Sequence, residues 1–313
     1  MMLIRRLTLT CALTACCSTA IAQGVTPFCD MLYWHASEDA SAVWSDIITL
    51  SSFSAENLQF DWNPGLRVGI GHQLDEESWD AKFYWTYFRT SRDAMASGDC
   101  VFPQFFSGCV SGNAADFTWG SIDWGLTYNT LDLEMGRKIA LGESAWIRPS
   151  MGIKAAIIQQ RIQLDLANAS TGISAEENVA NDFWGMGPSF GVSGAWSLPK
   201  CKNLSLVGSF AADLLFGQWN VDDAYARTDN HPLAANVRGA FVTSMNDASL
   251  GVPALRYFLG LEWVREGNVK ITARLGYELQ WWANQQRVTA FQQLPMHGDL
   301  TLEGLTCGVS VGF

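Results

Sequence analysis

The strongest pattern along this 313-residue chain is period-two alternation of apolar and polar residues. The segment 269–281, VKITARLGYELQW, places Val, Ile, Ala, Leu, Tyr, Leu and Trp on one face and Lys, Thr, Arg, Gly, Glu and Gln on the other. The segment 304–313, GLTCGVSVGF, alternates in the same way and ends on Phe313. Alternation of this kind predicts β-strands with one apolar face.

Ten such segments are predicted as strands, with connections that alternate in length. The strands lie at residues 28–35, 57–72, 79–90, 118–135, 145–164, 183–198, 204–220, 254–265, 269–283 and 300–313. Short polar turns such as QLDEES and EGN alternate with long loops at 36–56, 91–117, 165–182, 221–253 and 284–299. Outer-membrane barrels have this asymmetry. We therefore predict an all-β fold, a transmembrane antiparallel up-and-down β-barrel of about ten strands with short periplasmic turns and long extracellular loops.

Two of these strands change phase. The apolar residues of 122–128 occupy even positions, whereas those of 131–135 occupy odd positions, and the segment IIQQRIQL at 157–164 shifts similarly. A bulge or turn near Asn129 would restore the phase.

The first residues predict an export signal. A basic start at residues 1–6 precedes an apolar stretch, and the small residues at 20–22 suit cleavage before Gln23. The expected organisation is a signal peptide at 1–22 and a barrel at 23–313. An alternative is lipidation of Cys16, which follows a lipobox-like Leu-Thr-Ala. Downstream the sequence has no apolar run of 18 residues, so strands are the predicted means of crossing a membrane.

Composition excludes one class of partner and supports the membrane. With 20 basic and 31 acidic residues the formal charge is −11, which argues against binding nucleic acid. The 14 tryptophans and 17 phenylalanines suit a membrane barrel with aromatic girdles at both interfaces. Girdle candidates are Trp62, Trp79, Trp85, Trp119, Trp124, Trp146, Trp184, Trp196, Trp219, Trp263, Trp281 and Trp282.

Five cysteines would remain after removal of the leader, an odd number. Cys100 and Cys109 bracket a short segment with Pro and Gly and are the candidate disulfide, whereas the pairing of Cys29, Cys201 and Cys307 is open. The unpaired cysteine leaves a disulfide-linked homo-oligomer as an alternative. The spacings match no zinc site, and we predict no metal and no cofactor.

Several spaced blocks resemble one protein family. FDWNPGLRVGIGHQLDEESWDAKFYWTYFRT, LEMGRKIAL, NDFWGMGPSFGV, LLFGQWNV and DLTLEGLTCGVSVGF are similar, in this order, to the Legionella-type major outer membrane protein family of pore-forming proteins. The resemblance runs from about residue 28 to the end of the sequence. It implies a bacterial outer-membrane barrel with pore activity, and it supplies no catalytic residues.

A final Phe after alternating apolar residues resembles the C-terminal signal read by the barrel-assembly machinery. Phe313 is therefore the predicted assembly signal, and the last strand is expected to pair with the first, around FCDMLYWH. Open edges would leave backbone groups unsatisfied in lipid. The predicted partners are the assembly machinery and outer-membrane lipid, and nucleic acid is not expected.

If the apolar positions face lipid, eleven charged residues face the lumen. They are Arg67, Asp80, Lys82, Asp123, Arg148, Lys154, Asp213, Arg256, Glu262, Arg274 and Glu278. One interpretation is that they line a wet pore and set its ion preference. The other is that they neutralise one another inside a filled barrel, since ten strands form a cylinder only slightly wider than the eight that side chains can fill.

The predicted function is a porin-like channel for passive diffusion of small hydrophilic solutes or ions. The alternative is a structural or adhesive surface protein with a closed barrel, whose extracellular loops bind partners. An enzyme is not predicted, although Asp229 and His231 form an Asp-x-His pair of the kind that activates water.

Overall fold

In the computed structural model the described residues, 24–38, 44–74, 79–103, 117–199, 201, 203–229, 232–234, 237–288 and 296–313, form strands and turns. Ten long strands build a closed antiparallel barrel, as predicted. They are β1 Val25–Glu38, β2 Asn63–Gln73, β3 Trp79–Ser97, β4 Trp119–Arg137, β5 Ala145–Asn168, β6 Ile173–Ser197, β7 Leu204–Arg227, β8 Ala240–Arg265, β9 Lys270–Val288 and β10 Met296–Gly312. Within the same residues, no helix is long and apolar enough to cross a membrane.

Pairing of β1 with β10 closes the cylinder. Each strand otherwise pairs with its neighbours in the chain, and the closing register runs from Phe28 opposite Ser310 to Glu38 opposite Leu300. At the end of this seam, the amide of Gly24 donates to the carbonyl of Phe313 at 3.0 Å. Closure satisfies the backbone groups that an open edge would expose to lipid.

The connections at one barrel end are all short as predicted, but three of the predicted long loops, at 165–182, 221–253 and 284–299, are largely strand where the structure describes them. β5 and β6 meet in a tight turn, where the amide of Gly172 donates to the carbonyl of Asn168 at 2.9 Å, so a loop at 165–182 was the wrong prediction. The predicted loop at 221–253 is wrong where β7 and β8 continue through it. Smaller strands lie in the remaining connections: Ser45–Ile48, Phe53–Glu56 and Cys100–Pro103 form one sheet, Pro232–Ala234 pairs with Val237–Arg238, and Ile139–Ala140 pairs with β5.

The outer face of the wall changes character part-way along its height. On β5, Met151, Ile153 and Ile157 expose more than half of their surface, and the next outward positions are Gln159 and Arg161. A bilayer requires about 9–11 apolar-faced residues per tilted strand, whereas β5 has 24 residues. The half of the barrel next to the short turns therefore spans the membrane, and the other half projects into water.

The inner face changes in the opposite order. On β5, Arg148 and Lys154 face inward within the membrane half, whereas Ile158, Ile162 and Leu164 are buried inside the projecting half. Where lipid covers the outside, polar side chains collect within, and where water covers the outside, apolar side chains pack within.

This exchange of faces explains the phase change in β4. The strand pairs without interruption through Asn129, which lies opposite Tyr87 of β3 and Ile157 of β5, so the predicted bulge is wrong. True irregularities occur elsewhere. Gly251 of β8, with φ +103°, accompanies a register shift against β7, and Asn284 of β9, with φ +51°, accompanies one against β10.

Candidate functional site

Ten of the eleven predicted lumen charges face inward in the membrane half. They are Arg67, Asp80, Lys82, Arg148, Lys154, Asp213, Arg256, Glu262, Arg274 and Glu278. Asp123 instead lies on the outer face of β4, between the inward-facing Ile122 and Trp124 and opposite Asp93 of β3. Its assignment to the lumen is wrong, because the apolar positions around it face the packed interior of the projecting half rather than lipid.

Arg67 of β2 is the centre of a first ion-pair cluster. Its guanidinium donates to both carboxylate oxygens of Glu278 at 3.0 and 2.7 Å, and its Nε donates to Thr86 Oγ1 at 3.0 Å. The Asp30 carboxylate of β1 accepts hydrogen bonds from Arg67 Nη1 at 3.5 Å and from Arg274 Nη2 at 2.5 Å. Since each buried charge has a partner, the cluster is compatible with a low-dielectric interior.

Arg148 of β5 organises a second cluster nearer the short turns. It donates from Nε and Nη2 to the Asp80 carboxylate, at 2.5 to 3.0 Å, and from Nη1 to Glu134 at 3.0 Å. Lys82 lies 3.9 Å from Glu134. A Cβ on Gly136 would lie 2.5 Å from the Cζ of Arg148, so this glycine provides the space for the guanidinium.

Lys154 of β5 lies between the charged clusters and the aromatic side chains of the lumen. Its Nζ lies 2.8 Å from Asp213 and 3.4 Å from Asp132, and 5.5 Å from the ring centroid of Trp282. Arg256 of β8 approaches Asp132 at 4.0 Å. The charged side chains therefore lie directly next to the aromatic side chains around Trp282.

A chamber of about 680 Å³ lies between the charged clusters and the short-turn end. Both clusters contribute to its wall, together with Tyr84 and Arg256. Glu262, Lys270 and the β8–β9 turn line its mouth. The membrane half of the lumen therefore contains a cavity with a charged wall.

The lumen beyond the chamber is filled by aromatic side chains. Trp34 packs on Phe88 and Tyr128 packs edge to face on Trp282, each pair with ring centroids 5.7 Å apart, and all four side chains have no exposed surface. The Tyr128 hydroxyl donates to Gln280 at 2.6 Å. Every barrel strand except β2 contributes to the apolar cluster that contains them. We call these four side chains the aromatic layer.

Above the aromatic layer, β9 leaves the wall and enters the lumen. Its pairing with β8 ends at Trp282, and the carbonyl of Gln285 accepts hydrogen bonds from Trp219 Nε1 of β7 at 3.2 Å and from Asn181 Nδ2 of β6 at 3.4 Å. The guanidinium of Arg287 stacks 3.5 Å from the ring centroid of Trp219. This segment adds a second closure to the lumen.

The tryptophans divide between the interior and the outer surface. Trp124, Trp219 and Trp282, predicted for the girdles, are instead buried in the lumen. Those with more than a third of their surface exposed are Trp62, Trp85, Trp119, Trp184, Trp196 and Trp263. The girdle prediction therefore fails where a strand continues beyond the membrane.

A family model matches residues 28–313 of this chain, and the family is described as Legionella pneumophila major outer membrane protein precursor. The chain belongs to this family. As a member of the major outer membrane protein family, it is located in the bacterial outer membrane, as predicted. Among curated proteins, no relative matches it.

Three solved outer-membrane proteins are similar to this family member at low identity. The outer membrane protease OmpT from Escherichia coli has a TM-score of 0.46 and 9% identity, with 93% of this chain and 97% of that one covered. A major outer membrane protein from Thermus thermophilus has a TM-score of 0.38 and 11% identity, covering 93% and 98%. A Pseudomonas aeruginosa FadL homologue has a TM-score of 0.32 and 9% identity, covering 93% and 90%. Identities this low say nothing about activity.

The sequence pattern did not identify several lumen residues of this chain. Asp30 alternates with Cys29 and Met31 in β1, so the period-two pattern could have revealed it. The inward direction of Asp132 and Glu134 was not predicted, because the phase change in β4 was attributed to a bulge.

The cysteine and leader predictions remain predictions. Cys109 and residues 1–22, including Cys16, lie outside the described residues. Cys100 and Cys201 lie in connections at opposite ends of the barrel, as the loop pattern predicts. Cys29 and Cys307 lie on the outer face of β1 and β10.

Proposed function

We propose that this protein is a structural surface protein of the outer membrane, with a barrel that is closed at rest and a polar projecting half that binds partners. The buried aromatic layer across the lumen is the observation that supports this most. The sequence pattern favours a passive channel over a closed barrel, whereas the filled interior favours the closed barrel.

The energetic argument concerns what a hydrated solute would displace. Trp282 and Phe88 are fully buried, and removing such a side chain from its packing costs about 3–5 kcal/mol. Below them, a solute would also have to separate Arg67 from Glu278. Thermal motion alone would rarely open such a path.

Conductance of the refolded protein in a planar bilayer tests the proposal. We expect no discrete steps from the wild type, with folding verified by its gel mobility before and after heating. Truncation of the aromatic layer in the variant Phe88→Ala with Tyr128→Ala should admit ions and serves as the positive control. Steps from the wild type, with an ion preference that changes in Arg148→Glu, would overturn the proposal.

The second candidate is the passive diffusion channel, and the chamber of about 680 Å³ favours it. Such a channel requires that β9 leave the lumen and that the aromatic layer rearrange. The double variant Asn181→Cys with Gln285→Cys would tie β9 to β6 through a disulfide. A channel would then conduct only after reduction of this disulfide, whereas a closed barrel would be silent in both states.

The projecting half supports the surface role. Its outer wall carries the acidic side chains of Asp93, Asp123, Asp182 and Asp222, and the chain as a whole is acidic. Beyond the wall, the hairpin of Ser45–Ile48 and Phe53–Glu56 exposes Leu50 completely, at 99%. Deletion of residues 45–56 should abolish binding of purified protein to its partner surface and leave conductance unchanged. Unaltered binding would exclude this hairpin.

We also propose that β10 is recognised by the barrel-assembly machinery. Leu305, Val309 and Phe313 alternate on its outer face and are each 43–49% exposed. Phe313→Ala should lower the amount of protein in the outer membrane, while Lys270→Ala, on the neighbouring strand, should not. A homo-oligomer would be visible as reductant-sensitive bands in electrophoresis.

Catalysis at Asp229 is not favoured. The Arg227 guanidinium holds both oxygens of this carboxylate, at 2.7 and 2.9 Å, so the carboxylate is already engaged and is not positioned by the chain as a partner for water.

A further inference from the structure

Three hydrogen-bond donors face the chamber without an acceptor among the described residues. The Arg256 guanidinium, in a side chain only 14% exposed, has Asp132 as its nearest carboxylate at 4.0 Å. The Lys82 Nζ is 3.9 Å from Glu134, also beyond hydrogen-bonding distance. Tyr84, 5% exposed, lines the same chamber, and its hydroxyl is not paired with a described residue.

Several carboxylates in this wall already accept hydrogen bonds from other side chains. Both oxygens of Glu278 accept from Arg67, Asp30 accepts from Arg67 and Arg274, and Asp80 accepts from Arg148. The formal charges in the lining nearly balance. An acceptor from outside the chain could nevertheless pair with the three donors that these carboxylates leave free.

The side chains that carry the three donors are neighbours in the chamber wall. The Arg256 Cζ lies 5.5 Å from the centroid of the Tyr84 ring. Lys82 and Tyr84 are two residues apart on β3, so their side chains leave the same face roughly 7 Å apart. We propose that Arg256, Lys82 and the Tyr84 hydroxyl form a binding site for a small oxyanion, a phosphate or a carboxylate.

Chemistry and access both suit this class of ligand. A guanidinium presents planar paired donors that match phosphate and carboxylate oxygens, and such charge-assisted hydrogen bonds are strong away from bulk water. The chamber opens at the short-turn end, the periplasmic end of an outer-membrane barrel. The ligand would enter from the periplasm, and its binding does not depend on whether the lumen conducts.

Isothermal titration of the refolded, detergent-solubilised full chain tests the proposal. Inorganic phosphate and acetate are titrated separately, with sodium chloride at equal ionic strength as the reference. Saturable binding of phosphate, acetate or both at one site per barrel is expected, and the comparison identifies the preferred oxyanion. Tyr84→Phe, Lys82→Gln and Arg256→Gln should each weaken binding by about tenfold or more.

The matched control is Lys270→Gln, which removes one positive charge at the mouth of the chamber. It should change the affinity by no more than about twofold, because a solvated charge at this distance is screened. The proposal is overturned if neither anion binds, or if Tyr84→Phe and Lys82→Gln behave like the control. Tyr84→Phe and Lys82→Gln test the oxyanion site even if Arg256→Gln fails to fold. The binding measurement is also independent of whether the barrel conducts ions.

Discussion

The ion pair between Arg67 and Glu278 provides the sharpest test of how the lumen is stabilised. Glu278 is 1% exposed and accepts four hydrogen bonds, two from Arg67, one from Gln280 at 2.9 Å and one from Thr306 at 3.1 Å. Glu278→Gln removes the charge but keeps the shape, and leaves the guanidinium with Asp30 at 3.5 Å as its remaining carboxylate. Breaking one side of a buried pair costs about 3–5 kcal/mol.

Urea unfolding of the barrel in lipid vesicles, followed by tryptophan fluorescence, would measure this cost. Glu278→Gln and Arg67→Met should each lower the free energy of unfolding by about that amount, and the double variant should lower it by less than their sum. Glu262→Gln is the matched control, because Glu262 forms no ion pair with a described residue. The reasoning is refuted if Glu278→Gln costs no more than this control, or if the two single effects add.

Three further outcomes can be measured in the same way. Gly69→Ala places a Cβ 2.5 Å from the Phe83 carbonyl oxygen and from the Tyr84 Cβ, so it should impair folding, whereas Gly267→Ala, in an open turn, should not. Asp123→Asn should leave stability within about 0.5 kcal/mol of wild type or raise it, because the carboxylate faces outward opposite another. Asn284→Val should lower the free energy of unfolding by about 1–2 kcal/mol, because a β-branched residue is strained at the φ of +51° found there. Equilibrium unfolding would measure this loss.

Alternation predicted the strands best where lipid covers one face. β9, predicted at 269–283, is Lys270–Val288, and β3, predicted from residue 79, begins at Trp79. In the projecting half the contrast between faces disappears. β6 starts with polar residues on both sides, for example Glu176 outside and Glu177 inside, so this segment was predicted as a loop.

The site was predictable only as a set of inward charges. Alternation places Arg67 and Glu278 inside, but their contact joins residues 211 positions apart, and no local pattern specifies which cations meet which acids. The aromatic layer was missed for another reason. Trp282 follows Trp281 at a predicted strand end, and the sequence does not distinguish the residue that faces lipid from the one that fills the lumen.

The seam between β1 and β10 has a consequence for the rate of folding. Hairpins between consecutive strands close short loops, whereas the pairing of Phe28 with Ser310 must join the two ends of the barrel sequence. Contacts between residues so distant in the chain form slowly, because chain entropy is lost before the pairing energy is gained. Until that step, both β1 and β10 present unpaired edges that can join other chains and aggregate. Closure of this seam is therefore the expected rate-limiting step of folding, and the stage at which the unfinished barrel most needs a chaperone.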